Sequence, residues 1–196
     1  MKLGFDYSRC LWVRIRDEKS RSERVIRNPR VYLAGPFFNP AQRERFETLE
    51  AMFNVRGISY YSPREESVNR GFKIENVEQA DEALNNDLHE LRSCHVMLVQ
   101  LDYLLPAELQ LAIVQSPSPE VPLGRMQPVH IPDTGTVWEA GFAQAVNIPR
   151  IGLLTGKMRL NIMLARTLNG VALSLGEIGE WLNGGPVPAM WTGEMR

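Results

Sequence analysis

The chain predicts an α/β fold: a sheet of about five parallel strands with helices on both faces. Three observations lead there. Short apolar runs such as Val31-Tyr-Leu-Ala34 and Val96 to Leu101 read as strands buried on both sides. Segments with helical apolar spacing alternate with them. Gly and Pro residues punctuate the joints.

Taken in order, residues 1–29 form a basic extension, and residues 30–196 form the α/β domain. Residues 2–30 carry nine Lys and Arg against four acids. Phe5, Tyr7, Leu11, Val13 and Ile15 fall at odd positions, the period of a strand, so the extension is either a hairpin on the domain edge or an arm. Val31–Ala34 is the first strand of the domain and ends at Gly35-Pro36. Pro40 to Val55 is helical, with Phe46, Leu49, Met52 and Phe53 on one face and Gly57 as the stop. Ile58 to Tyr61 is the second strand, closed by Ser62-Pro63. Glu75 to Arg92 is the second helix, with a stripe of Ala80, Leu84, Leu88 and Leu91 expected to be buried. Val96 to Leu101 is the third strand. About thirty residues then interrupt the rhythm, an insertion at about 103–131 whose length suits a lid, a partner surface or an ordered excursion. Thr136 to Val146 is a helix, Arg150 to Leu154 a strand and Leu160 to Leu168 a helix. Val171 to Ser174 is the fifth strand, followed by a helix through Trp181.

Bulk properties narrow the function. The 196 residues suffice for one domain with a real core. A net charge of −1 gives no electrostatic case for nucleic acid or a lipid surface as main partner. Cys10 and Cys94 sit in no metal or redox spacing, which fits a reduced cytoplasmic protein. His89, His95 and His130 are scattered, so no metal site is expected. No signal-peptide pattern and no membrane-length apolar run are present.

The segment from Ile131 to Ala145 carries the most chemistry. Asp133 or Thr134 can cap the helix that follows, and Gly135 frees the turn. Glu139 is expected in the first helical turn, ionised by the positive helix end, beside a cleft left open at Gly141. A carboxylate so held suits a nucleophile; an ordinary cap with a solvated Glu is the plain alternative. Ligands of open α/β sheets bind at the carboxyl ends of the strands. There the sequence offers Gly35, the aromatic pair Phe37 and Phe38 (core in the plain reading, favoured for Phe38), then Arg64, Glu65, Glu66 and Ser67, then Asp102. Asp87 lies on the apolar stripe of the second helix, an acid that burial keeps partly protonated. It is either a general acid or a structural side chain bonded to a loop. One ionised acid and one in a semi-apolar setting form the pattern of retaining glycosyl transfer.

These residues resemble the nucleoside 2-deoxyribosyltransferase family. Val31-Tyr32-Leu-Ala-Gly35-Pro36-Phe37-Phe38 is similar to its opening strand and base-binding turn, and Asn85-Asn86-Asp87-Leu88 to its Asn-Asn-Asp-Leu segment. Asp133-Thr-Gly135-Thr-Val-Trp-Glu139-Ala-Gly141 is similar to its Asp-x-Gly-x-x-x-Glu-x-Gly signature. Leu160-Asn161-Ile-Met163 resembles the segment whose Asn reaches a neighbouring subunit's sugar site.

The resemblance implies a flavodoxin-like fold, a homo-oligomer with Asn161 acting in trans, a role in nucleotide salvage, and no metal or organic cofactor. It implies Glu139 as nucleophile, Asp87 as the acid handling the base proton, Tyr32 orienting Glu139, and Asp133 at the sugar 5′ end. Gly35, Phe37, Arg64, Glu66 and Gly135 complete the expected substrate contacts, with Ser67 and Trp191 as further candidates. The partners implied are a deoxynucleoside and a free nucleobase. The rival readings are an N-glycosidase that hands the sugar of a nucleoside or its 5′-monophosphate to water, and a nucleotide-sensing module without turnover.

Overall fold

The computed structural model describes residues 11–16, 22–69, 71, 75–101, 133–155 and 160–193. Phe5, Tyr7, Cys10, Asp102, the 103–131 insertion and His130 lie outside those residues. The domain runs β3 (Arg30–Ala34), α1 (Pro40–Arg56), β4 (Ser59–Tyr61), α2 (Pro63–Asn69), α3 (Val77–Ser93) and β5 (Val96–Gln100). It continues through α4 (Thr134–Ala145), β6 (Arg150–Leu153), α5 (Ile162–Thr167), β7 (Gly170–Ala172) and α6 (Leu175–Leu182). Before it stand β1 (Trp12–Arg16) and β2 (Glu23–Arg27).

The main sheet has the order β4-β3-β5-β6-β7 with every pairing parallel. Counted within the sheet, that is the flavodoxin-like order, which reverses beside its first strand and leaves a crevice at the carboxyl ends. Every residue of β5 is buried, as a central strand with helices on both faces requires. Phe46, Leu49 and Phe53 of α1 join Ile178, Trp181 and Leu182 of α6 in a core on one face. Leu91, Ala140, Ala143, Leu164 and Ala165, from α3, α4 and α5, pack on the other.

Local chemistry sets the helix ends. Asn39 and Gln42 form a reciprocal capping box at the start of α1, and Gly57 ends it in the left-handed conformation at φ 65°. Asn76, Asp133, Asn161 and Ser174 cap α3, α4, α5 and α6 through their side chains. Helix α2 was not legible as a helix: it buries no residue, so it has no apolar stripe, and only Pro63 at its first position and the acids Glu65 and Glu66 in its first turn mark it.

Strands β1 and β2 pair antiparallel, from Trp12 opposite Arg27 to Arg16 opposite Glu23. Val13 and Ile15 point into the core beneath α6, and Trp181 Nε1 donates to the Arg14 carbonyl at 2.8 Å. No helix among the described residues is long and apolar enough to cross a membrane.

Gly35, where the chain leaves β3 for the crevice, is fixed by packing. A Cβ there would lie 2.7 Å from Gln100 Cβ and 3.0 Å from the Phe46 ring. Gly35→Ala should therefore cost about 1–3 kcal/mol through overpacking. Urea unfolding checks this: the midpoint should fall with an unchanged slope, and an unchanged midpoint would show that the joint can relax.

Candidate active site

The site is built on one register. Tyr32 of β3 stands opposite Tyr61 of β4, so both rings leave the same face of the sheet, near its carboxyl edge. They stack at 5.5 Å with 29° between their planes. Each hydroxyl meets one carboxylate. Tyr32 Oη donates to Glu139 Oε1 at 2.6 Å, and Tyr61 Oη donates to Asp87 Oδ1 at 2.7 Å. Helix α4 delivers Glu139 and helix α3 delivers Asp87. Beside Asp87, Asn86 Nδ2 donates to Tyr61 Oη at 2.8 Å.

The loop into α4 brings a third acid. Asp133 Oδ2 accepts from the Thr136 backbone at 2.9 Å and from the Thr136 hydroxyl at 3.1 Å. A Cβ on Gly135 would stand 3.0 Å from that same oxygen, so glycine keeps the cap unstrained.

A cleft of about 230 Å³ collects Tyr32, Gly35, Phe37, Asp87, Asp133, Gly135 and Glu139. Apart from Thr136, its remaining wall is apolar. Phe37 and Phe38 stack at 5.6 Å, and Phe38 is 66% exposed at the cleft, which corrects the expectation that it is core. Trp138 lines the opposite helix and stacks on Phe142 at 5.9 Å. The α3 stripe also needs correcting. Only Leu91 is buried; Leu84 is 45% exposed, and Leu84 and Leu88 line the cleft. Periodicity marks an apolar face but does not tell a core from an open crevice.

The electrostatics differ from expectation at Glu139. It is the sixth residue of α4, in the second turn, and the first turn holds no acid. The helix end acts mainly within the first turn, and burial dominates instead. Burial, with Asp87 and Asp133 adding repulsion, pushes the Glu139 carboxyl up to about 7, against the opposing hydrogen bond from Tyr32. Burial also raises Asp87, helped by Glu66 and Glu90 and opposed by the Tyr61 hydrogen bond. The negative charge of Asp87 thus disfavours ionisation of Glu139. Burial and the same carboxylates raise both tyrosines above the ordinary phenol range, so both remain donors.

Arg64 and Glu66, both expected at the substrate, do not line the cleft. Arg64 is clamped by Glu50 through Nε at 3.0 Å and through Nη2, with Glu47 at 3.4 Å. Glu50 is 3% exposed and also accepts from Ser62 Oγ at 2.6 Å, so this buried network secures the end of β4. Glu66 sits on α2 and reaches Asp87 by its field rather than by lining the cleft. Asn161 caps α5, its Oδ1 accepting from the Met163 backbone at 2.8 Å. Trp191 packs on the core beside the α4 face.

Sequence reasoning missed Tyr61 and Trp138. The signal for Tyr61 was its place as the last residue of a strand at the ligand-binding edge.

A family model described as nucleoside 2-deoxyribosyltransferase matches residues 31–170. Among solved structures, the chain is similar in fold to a 2-deoxyribosyltransferase from Bacillus psychrosaccharolyticus. The identity is 19%, the match covers 80% of this chain and 98% of that one, and the TM-score is 0.59. A conserved protein from Enterococcus faecalis V583 matches at 18% identity over 83% of this chain and 92% of that one, with a TM-score of 0.42. A 2-desoxiribosyltransferase from Leishmania mexicana matches at 18% identity over 69% of each chain, with a TM-score of 0.44. No curated protein matches the chain by sequence.

A carboxyl raised on folding supports the fold below its unfolded value near 4.5 and loses that support as pH rises through about 7. Glu139→Gln keeps an acceptor for Tyr32 and removes the buried charge. It should be more stable than wild type at pH 8, by an amount on the order of 2–3 kcal/mol or several degrees in Tm. The difference should vanish near pH 4.5. Thermal melts at both pH values check this, and a pH-independent difference would contradict it.

Proposed function

The chain belongs to the nucleoside 2-deoxyribosyltransferase family, and on that premise we propose that it moves 2′-deoxyribose between nucleobases through a covalent glycosyl-Glu139 intermediate with net retention. The observation that carries this reading is a carboxylate held at 2.6 Å by a buried tyrosine, in the same cleft as a second acid, Asp87.

The steps follow from that pair. Tyr32 occupies Glu139 Oε1, which leaves Oε2 to attack C1′. As the C1′–O bond forms, the bond from C1′ to the base nitrogen breaks. Its electron pair stays on the base, which takes a proton from Asp87. A second base then attacks C1′ with its nitrogen, the C1′–O bond breaks, and Asp87 recovers a proton. Two displacements on one carbon give retention. The reactive ionisation state has Glu139 charged and Asp87 protonated. A group poised near 7, as Glu139 is, reaches its charged form at neutral pH. A sensing module has no use for a buried acid of this kind, which destabilises the fold when ionised.

Phe37, Phe38 and Trp138 offer the base flat apolar walls. Asp133 caps α4 with Oδ2, and we assign its Oδ1 to the sugar 5′-hydroxyl. A 5′-phosphate would bring −1.5 to −2 charges to that carboxylate. Repulsion at 4 Å is roughly 4 kcal/mol at an effective dielectric near 20. Among the described residues lining the cleft no cation offsets it, because Arg64 is clamped by Glu50. The reading includes a homo-oligomer in which Asn161 reaches a second copy's sugar site. Its neighbours Ile162 and Met163 are exposed, at 48% and 73%, which leaves an apolar surface for such a contact.

Deoxyinosine with free cytosine should yield β-deoxycytidine, and deoxyinosine alone should release hypoxanthine far more slowly. Deoxyinosine 5′-monophosphate should compete poorly, by about a thousandfold in binding. Equal release of hypoxanthine with and without cytosine, or preference for the monophosphate, would favour the N-glycosidase reading instead.

A further inference from the structure

Resting on the assignment of Asp87 as proton donor, we propose that Tyr61 is a positioning residue that fixes which oxygen of Asp87 carries the proton to and from the nucleobase.

Hydrogen-bond direction sets the proton's place. Tyr61 Oη donates to Asp87 Oδ1 at 2.7 Å and accepts from Asn86 Nδ2 at 2.8 Å. An amide N–H cannot accept, so Asn86 turns the phenolic hydrogen toward Asp87. With Oδ1 receiving that hydrogen, the acid proton of Asp87 belongs on Oδ2. A carboxylic acid at a cleft wall otherwise exchanges its proton between two oxygens, and only one orientation serves a base in the cavity. The position of Tyr61 is in turn fixed. Its ring stacks on Tyr32, its backbone pairs with β3, and it is 8% exposed. The Glu50–Ser62–Arg64 network holds the residues that follow. Asn86 and Asp87 are adjacent on α3, so one helix carries both ends of the chain of hydrogen bonds.

The charged and titratable groups around Asp87 come from every side: Tyr61 of β4, Tyr32 of β3, Glu139 of α4, Glu66 of α2 and Glu90 of α3 itself. Apart from the two phenols, all are acids, and all favour a proton on Asp87. Tyr61 opposes them, because its bond favours the carboxylate. Removing the hydroxyl therefore moves the pH at which Asp87 loses its proton upward.

Tyr61→Phe keeps the ring stack and removes only the hydroxyl. Two substrates separate positioning from structure: deoxyinosine, whose base must be protonated to leave, and N7-methyl-2′-deoxyguanosine, whose base leaves without a proton. Transfer from deoxyinosine should slow about tenfold or more and transfer from the methylated nucleoside less than about threefold, the contrast expected when proton delivery is lost. The basic limb of the kcat profile with deoxyinosine should shift to higher pH. Asn86→Ala, which frees the hydroxyl to turn, should give the same pattern more weakly and provides a second test should the phenylalanine variant fold poorly. Equal slowing of both substrates, or an unmoved basic limb, overturns the proposal. Asp87→Asn, run in parallel, separates the two levels. If it slows only deoxyinosine while Tyr61→Phe slows both substrates, Tyr61 alone loses its role. If Asp87→Asn itself slows both substrates equally, the acid assignment falls and takes this inference with it.

Discussion

The parallel pairing of β3 with β4 sets Tyr32 beside Tyr61, and the rest of the site depends on that juxtaposition. Strand pairing fixes both backbones, and burial and stacking hold both rings. Each is therefore a rigid donor, and each holds one oxygen of one carboxylate. The two acids come from different helices, α3 and α4, which need share only this pair of phenols to face one cleft. Preorganisation of this kind places donors before any charge develops, so none of the cost of orienting them falls on the reaction.

The same arrangement works against stability. Two acids near one another, both raised by burial, oppose folding whenever both are ionised. Cores on both faces of the sheet supply the compensating burial. On one face α1, α6 and the β1–β2 pair enclose Phe46, Phe53, Val13, Ile15 and Trp181, all fully or nearly fully buried. On the face of the site Met97, Ala143 and Leu168 are buried as well, so the crevice can stay open and apolar. Leu84, Phe38 and Trp138 remain exposed at the cleft because the domain does not need them as core.

Most of the fold was legible because its signals are local. Buried parallel strands read as apolar runs, Gly57 stopped a helix, and Asp133 capped one. What failed was whatever depends on contacts distant in sequence. Glu139 looked ionised from its distance to a helix start, yet burial raises its carboxyl, and its hydrogen-bond partner Tyr32 lies 107 residues away. Tyr61 went unnoticed because its partner Asp87 lies 26 residues on, across a helix that has no apolar stripe to announce it. Arg64 looked available to substrate because the buried Glu50 that claims it is 14 residues earlier, on the hidden face of α1. The motifs, by contrast, named Glu139, Asp87, Tyr32 and Asp133 together, and the cleft gathers all four.

The central claim is that Glu139 becomes covalently bonded to the sugar. A deoxynucleoside carrying fluorine at C2′ tests it most directly, because fluorine slows the breakdown of a glycosyl ester through its oxocarbenium-like transition state. After incubation and rapid acid quench, intact and peptide mass spectrometry would locate any adduct. A covalent Glu139 intermediate should give one fluorinated sugar per active site, on the peptide containing Glu139, lost on adding free nucleobase and absent from Glu139→Gln. Release of the base with no labelled peptide, or a label on any other side chain, would contradict it.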